Sequence, residues 1–256
     1  MKITVFTSNQ PRHLSLIRSL SNIASEVYAV MEVNTLFAGK RADFFKQSEV
    51  MQRYFSKVMA SEKKIFGDVS LLPSNVKTLT MKMGDLNDVP TGVLREVLQS
   101  DVYVVFGSSY IKGELADYLV ENKALNIHMG VSPYYRGSSC NFWAGYDGNY
   151  ELIGATIHLL SKGLDSGDIL FHALPAPMKD PFDLGMRAVL SAHTSLAYAI
   201  KDGSIYSYEP VKQDKSMQIR YTRNKDFTDE VALDYLDRQH EMNLSNWRPF
   251  INLKVY

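Results

Sequence analysis

Asn126 and His128 stand two residues apart in the run ALNIH (124–128), whose character is that of a β-strand, so their side chains project from one face. They fall at its C-terminal end, where open α/β sheets place ligand sites. Polar groups there cost desolvation free energy unless hydrogen bonded or used by a ligand. A turn-forming Asn and a packed His also meet that demand, so the pair alone leaves both readings open. The residues that follow add chemistry. Pro133, Tyr135 and Gly137 shape an irregular loop, Arg136 adds positive charge, Ser138, Ser139 and Asn141 add hydrogen-bonding groups, and Phe142 and Trp143 add flat apolar faces. Thr156-Ile157-His158 then puts another His on a strand, and Leu164-Asp165-Ser166-Gly167 places a carboxylate in a tight turn seven residues later. Asn, His and Asp together can move a proton and stabilise an oxyanion at an acyl centre without a metal or a covalent nucleophile.

Such groups need a scaffold. Residues 2–7 form a β-rich run closed by Ser8, Asn9, Gln10 and Pro11. Leu14, Leu16, Ile17 and Leu20 follow at near-helical spacing, with Ser8 or Asn9 placed to cap and Pro11 in the first turn. Residues 27–33 are a second strand, so the chain begins β-α-β, the start of a parallel sheet with covering helices. In 43–66, Phe44, Phe45, Val50, Met51, Tyr54, Phe55, Val58 and Met59 recur at helical period, until Pro73 and Asn75 break the pattern. Residues 76–80 read as a strand, and Val93, Leu94, Val97 and Leu98 after Pro90 mark an amphipathic helix. The apolar run 101–106 suits a strand buried on both faces. A turn at 107–109, a helix over 111–120, strands at 155–160 and 169–174 around a turn at 162–168, and a helix over 181–201 complete the main body. The tail mixes a β-like piece at 205–208 with a helical stretch near 229–236. The expected class is therefore α/β, Rossmann-like: a mostly parallel twisted sheet with flanking helices. Residues 1–175 are expected to form the catalytic domain and 176–256 a small α+β extension, a helix and β-rich pieces packed on it. No internal repeat or low-complexity block interrupts it.

Composition narrows the function. Lys and Arg number 28 and so do Asp and Glu, which argues against a broad electrostatic footprint for nucleic acid. A single cysteine, Cys140, cannot form an intramolecular disulfide, which fits a reducing, cytoplasmic setting. The start MKITVFTSNQ reads as a strand rather than a signal peptide, and no stretch reaches the roughly 18–20 apolar residues of a membrane span. The six histidines are dispersed and Cys140 lacks a neighbour at ligand spacing, so no metal site is expected.

The run LNIHMGVSPYYRG followed by GATIHLLSKGLDSGDIL resembles the folate-dependent formyltransferase family, which includes methionyl-tRNA, glycinamide ribonucleotide and sugar N-formyltransferases. The shared pattern is Asn-x-His, then Pro-x-Tyr-x-Gly, then a strand His seven residues before Leu-Asp-x-Gly. It falls here on Asn126 and His128, on Pro133, Tyr135 and Gly137, and on His158 and 164–167. VYVVFGSSYIKGEL, just before it, is similar to the family's strand and loop around the pterin. The likeness covers about residues 101–174 well and the first strand and helix loosely. The chain departs in Met129-Gly-Val-Ser132, where the family often has Pro-Ser-Leu-Leu. It also has Asn9-Gln10-Pro11-Arg12-His13 in place of the Gly-rich first turn that the purine-pathway enzyme uses for phosphate.

The resemblance implies 10-formyltetrahydrofolate as donor and a primary amine as acceptor. It implies His128 as the acid/base group, Asn126 as an amide N–H donor to the developing oxyanion, and Asp165 as the group that orients His128 or a water. The pterin is expected against Phe106, Gly107, Ser108, Ser109, Tyr110 and Ile111 and the turn at Leu164, although the serines also fit ordinary turn chemistry. The compact length and the aromatic 138–143 loop resemble the sugar N-formyltransferases, whose acceptors are nucleotide-linked amino-dideoxy sugars for O-antigen and lipopolysaccharide synthesis. GDP-perosamine is favoured over a dTDP-amino sugar. On that reading Phe142 or Trp143 stacks on the base or sugar, and Arg12, Arg136 or the helix start at Gln10 and His13 holds the diphosphate. The competing reading is a core Trp143 and a surface Arg12. Methionyl-tRNA, glycinamide ribonucleotide and hydroxyornithine are alternative acceptors, and about 80 residues after the Asp165 turn, with zero net charge, argue against tRNA. A non-catalytic folate-binding protein is the alternative of another class, and a homodimer through the C-terminal strands is a family-level expectation.

Overall fold

A computed structural model describes residues 1–33 and 48–238, together with the backbone of Lys254–Val255. The chain runs β1 (Lys2–Thr7), α1 (Pro11–Ser21), β2 (Glu26–Val33), α2 (Glu49–Phe66), β3 (Val76–Lys82), β4 (Val102–Val105), α3 (Gly113–Glu121), β5 (Leu125–His128), β6 (Tyr135–Gly137), α4 (Cys140–Tyr146), β7 (Ala155–Leu159), β8 (Ile169–Leu174), α5 (Pro181–Lys201), β9 (Arg220–Thr222), α6 (Asp229–Asp237) and β10 (Lys254–Val255). Seven strands form the main sheet in the order β8-β7-β5-β4-β1-β2-β3, and β10 adds to its β8 edge. From β3 to β5 all pairings are parallel, whereas β7 is antiparallel to both β5 and β8. This is the mostly parallel α/β sheet that the alternating pattern predicts.

Period-two alternation divides the core. Ile3, Val5, Val27, Ala29, Val102 and Val104 face α1 and α5, while Phe6, Tyr28, Val30, Tyr103 and Val105 face α3. Pro11 opens α1 as foreseen, but no side chain caps it, whereas α2 and α5 are capped by Ser48 and Asp180. Strand order reverses at β1, since β2 lies on one side and β4 on the other. The loops leaving β1 and β4 therefore part and leave a crevice at the carboxyl ends of the strands.

Several local expectations are corrected. Residues 91–98 form successive turns rather than an amphipathic helix. Leu94 and Val97 are buried but Val93 is exposed, so the turns bury too little to sustain a helical stripe. The β-like piece at 205–208 contains instead a short 3-10 turn, Ser204–Tyr206, opened by Gly203 in the left-handed region. The segment after Pro133 is strand β6 and helix α4, not an irregular loop. Phe44 and Phe45 lie outside the described residues. Among the described residues no helix is long and apolar enough to cross a membrane, and no group of His, Cys, Asp and Glu could hold a metal ion.

Candidate active site

Strand β5 ends with Asn126 and His128 on one face, and β7, running antiparallel beside it, sets His158 opposite Asn126. The turn after β7 then brings Asp165 back over both. Asp165 has a φ of 45°, in the left-handed region that a short polar residue tolerates. Gly167 is required here for a different reason: a Cβ on it would sit 1.7 Å from the Leu159 carbonyl oxygen. The β7–β8 register also shifts at Ile157/His158, which aims the His158 ring towards the turn.

The three predicted side chains meet through Asp165. Its Oδ2 lies 3.2 Å from His128 Nδ1, and its Oδ1 accepts from Asn126 Nδ2 at 3.1 Å. Asn126 Nδ2 also lies 2.9 Å from His158 Nε2. His158 Nδ1 is 2.7 Å from the Leu159 carbonyl, which can only accept, so Nδ1 carries the proton and Nε2 receives the Asn126 hydrogen. In that tautomer the 3.9 Å approach of His158 Nε2 to Asp165 is no ion pair. Both amide hydrogens of Asn126 are thus committed, so donating one to an oxyanion means releasing Asp165 or His158. The buried nitrogen left without a partner is His128 Nε2.

Charge follows from these contacts. Burial lowers the His128 imidazole, but the Asp165 carboxylate and the Cys140 sulfur outweigh it, and the group is raised to about 10. Burial raises Asp165, yet its bond to His128 holds it well below the usual carboxylate range. The Cys140 thiol donates to the Gly137 carbonyl at 3.4 Å, so the Asp165 carboxylate is the main support of the imidazolium. Gly130 makes room for this contact, since a Cβ there would come within 2.9 Å of His128 Nε2 and 2.4 Å of Cys140 Cβ.

Asn126, His128, His158 and Asp165 line a cavity of about 300 Å³. All seven residues expected against the pterin line it too: Phe106, Gly107, Ser108, Ser109, Tyr110, Ile111 and Leu164. Tyr110 closes one side by donating its hydroxyl to the Lys162 carbonyl. Gln213, from the tail, braces the turn from behind by donating to the Asp165 and Gly167 carbonyls at 2.9 and 2.8 Å. No local pattern marked it.

The sequence profile of the formyl transferase family matches residues 1–180. The chain belongs to that family. A methionyl-tRNA formyltransferase from Finegoldia magna is 32% identical over 121 residues, 44% of this chain and 38% of the relative. One from Trichodesmium erythraeum is 26% identical over 177 residues, 60% of this chain and 52% of the relative. The chain thus spans about half or less of the curated relatives it matches. A 4-N formyltransferase from Francisella tularensis superimposes with a TM-score of 0.54 at 18% identity, covering 99% of this chain and 91% of that one. An N-formyltransferase from Helicobacter canadensis, solved with folinic acid and dTDP-3-aminofucose, gives 0.51 at 17% identity over 89% and 72%. Both structural likenesses are likenesses of fold.

In this family member a second cavity, about 350 Å³, shares Phe106, Gly107 and Met129 with the first. Arg12, His13 and Phe142 line it, together with Tyr54, Phe182 and Tyr235. The other residues assigned to the acceptor lie elsewhere. Trp143 is buried in the aromatic cluster under α4, with the Arg220 guanidinium 4.7 Å over its ring, and Arg220 is paired in turn with Asp147 at 2.6 Å. Arg136 sits in β6, paired with β9, and faces neither cavity. Gln10 is the N-cap residue of α1, its Oε1 buried without a partner. These placements arise from the tail: β9 draws β6 and α4 into the core, which local sequence does not reveal.

The start of α1, expected to hold a diphosphate, is already met by a carboxylate of the protein. Arg12 N donates to Glu62 Oε1 at 3.1 Å, and Arg12 Nη1 pairs with Glu62 Oε2 at 3.0 Å. Glu62 takes the place of an anion at the positive helix end and neutralises Arg12. His13 packs against Phe106 with the rings tilted by 37° and 5.0 Å apart, and Phe106 meets His193 edge-on at 5.2 Å. Burial, together with Arg12, lowers His13 to about 2 and His193 to about 3, so both are neutral. Among the described residues, the second cavity is therefore lined largely by apolar and aromatic side chains and presents no free positive charge.

Proposed function

We propose that this chain is an N-formyltransferase that moves the formyl group of 10-formyltetrahydrofolate to the primary amine of a nucleotide-linked amino-dideoxy sugar. The observation that carries the reading is the gathering of Asn126, His128 and Asp165 at the floor of a cavity walled by residues 106–111, in a chain of this family. The residues suit the donor. A backbone-rich wall can read the edge of a flat heterocycle, and His128, whose buried Nε2 has no hydrogen-bond partner, lines the same cavity. When bound, the folate supplies the formyl carbon at the level of oxidation of the product, so no redox partner is required.

The chain's own groups supply the proton traffic. Asp165 keeps His128 an imidazolium at neutral pH, and Nε2–H stabilises negative charge on the formyl oxygen. His128 gives its proton to the departing nitrogen and regains one from the entering amine, so the cycle consumes none. Asn126 and His158 hold the Asp165 carboxylate in register for this exchange.

For the acceptor, the second cavity supports a neutral amine-bearing deoxy ring near the shared wall at Phe106 and Gly107. Its diphosphate then lies away from Arg12, which Glu62 already pairs. GDP-perosamine is favoured, with a dTDP-amino sugar next. Methionyl-tRNA is the second reading, favoured by the likeness to curated methionyl-tRNA formyltransferases. Assaying formyl transfer against GDP- and dTDP-amino sugars, methionyl-tRNA and hydroxyornithine separates these. Turnover with an amino sugar alone is the expected result; turnover with methionyl-tRNA alone overturns the sugar assignment, and silence with every acceptor overturns the enzyme reading.

A further inference from the structure

Glu32 lies in neither cavity, yet it holds three loops at the carboxyl edge of the sheet. It is the penultimate residue of β2, and its solvent exposure is 0%. A buried carboxylate is costly unless donors surround it. Four hydrogen bonds do so here. Oε1 accepts from Gly84 N at 2.8 Å, Leu86 N at 3.3 Å and Ser109 Oγ at 3.0 Å, and Oε2 accepts from Ser109 N at 2.6 Å. Its own carbonyl accepts from Ser8 Oγ at 2.7 Å. The loops after β1, β3 and β4 are thereby tied to one residue.

The tie has a direction. Ser109 belongs to the wall of the first cavity, and the 3-10 turn Asp85–Asp88 grips the same wall again, because Asn87 Nδ2 donates to the Tyr110 carbonyl at 3.0 Å and Asn87 Oδ1 accepts from Lys112 N at 2.8 Å. Gly107, at a φ of +72°, leads into that wall and leaves it no regular secondary structure of its own. A loop without helix or strand bonds keeps one shape only if something outside it supplies them. None of these hydrogen bonds reaches a residue that lines only the second cavity.

We propose that Glu32 is the positioning residue of the donor wall: it holds the 107–111 loop in the shape that receives a reduced folate before the folate arrives. The proposal rests on the reading of the first cavity as the folate side. Preorganisation of this kind appears in affinity, because an unordered loop must be ordered at the cost of binding free energy.

Folinic acid binding by the full chain, measured by titration calorimetry at a temperature well below unfolding, tests it without requiring the acceptor. Glu32→Gln retains an oxygen for Gly84, Leu86 and Ser109 Oγ but turns an amide N–H towards Ser109 N. It is expected to weaken folinic acid about tenfold, the usual scale for one charge-assisted hydrogen bond. Ser109→Ala keeps the Ser109 N–H bond and loses only the hydroxyl, so its loss should be smaller, and Glu32→Ala should be at least as weak as Glu32→Gln. Hydrogen exchange at Ser109, Tyr110 and Ile111 should quicken in Glu32→Gln while β1 amides stay protected. If Glu32→Gln lowers only the unfolding temperature and binds folinic acid as the parent does, Glu32 is structural and the proposal is overturned. If Glu32→Ala does not fold, Glu32→Gln and Ser109→Ala still decide it. Failure of the parent protein itself to bind folinic acid overturns the folate reading, and this proposal with it.

Discussion

The two cavities meet at Phe106, Gly107 and Met129 and are built in opposite ways. The first cavity, proposed for the donor side, is made of residues close together in sequence: two on β5, one on β7, one in the next turn, and the loop after β4. Its working groups point inward, share one carboxylate, and leave one nitrogen unpartnered. The second cavity, proposed for the acceptor side, is assembled from α1, α2, α4, α5 and α6, and among the described residues its one lining Lys or Arg, Arg12, is already paired. The contrast teaches that a polar side chain near a site counts as available only after its partners have been found. His128 Nε2 passes that test and Arg12 does not.

The largest expected effect strikes the donor side. Asn126→Ala should lower turnover about 10²–10³-fold, a loss on the scale of one oxyanion donor, because it releases the Asp165 carboxylate from the position that keeps His128 charged. A folded variant keeping more than about a third of the parent rate would sink the assignment. Asp165→Asn should cost as much and alter the pH profile besides. With His128 raised to about 10, the stability it contributes is full below the ordinary imidazole pKa and is lost progressively until pH has risen through about 10, whereas the imidazolium needed for turnover is lost only around pH 10. Asp165→Asn should move that alkaline limb down towards the usual imidazole range in kcat against pH.

Behind the acceptor side the linkage runs the other way. His13 and His193 are lowered to about 2 and about 3, so the unfolded chain binds their protons first and stability falls once pH drops below about 6.5. By about pH 5 each should cost about 2 kcal/mol. Urea unfolding at about pH 7.5 and pH 5 should show His193→Leu losing about 2 kcal/mol less than the parent over that interval; an equal loss in both proteins discards the linkage.

Arg12→Ala sharpens the comparison at the shared boundary. It leaves the Glu62 carboxylate buried without its cation, which should cost about 1–3 kcal/mol of stability, and adding Glu62→Gln should recover most of it. If instead the acceptor KM rises and stability does not change, Arg12 is a ligand contact after all. Gln213→Ala removes two bonds to the Asp165 turn and should reduce kcat about tenfold with donor KM nearly unchanged. The smallest effect belongs to Trp143→Phe, which should leave the acceptor KM within about twofold because the indole packs against Arg220 and lines neither cavity. A large KM change there would restore the stacking role.

The fold was legible where one pattern dominated its neighbourhood. Alternating apolar strands and the helix of Leu14, Leu16, Ile17 and Leu20 need only the period of the backbone to be read. Residues 91–98 carry the same kind of signal, yet Leu94 and Val97 find burial in turns, so a few apolar positions did not decide the element. On the donor side, strand parity alone puts Asn126 and His128 on one face, and the short hairpin to the Leu-Asp-x-Gly turn limits where Asp165 can go.

What the sequence determined by itself, then, is that Asn126, His128 and Asp165 come together, because their relative positions are set by bond geometry over a few residues of strand and turn. Tertiary structure alone decided which charges are free. Glu62 reaches Arg12 from fifty residues away, Ser109 and Gly84 converge on Glu32, and β9 draws Arg136 and Trp143 from the acceptor side into the packing of the tail. The physical reason is that electrostatics and burial depend on distance in space, and nothing in a local pattern records which distant side chain will stand 3 Å away.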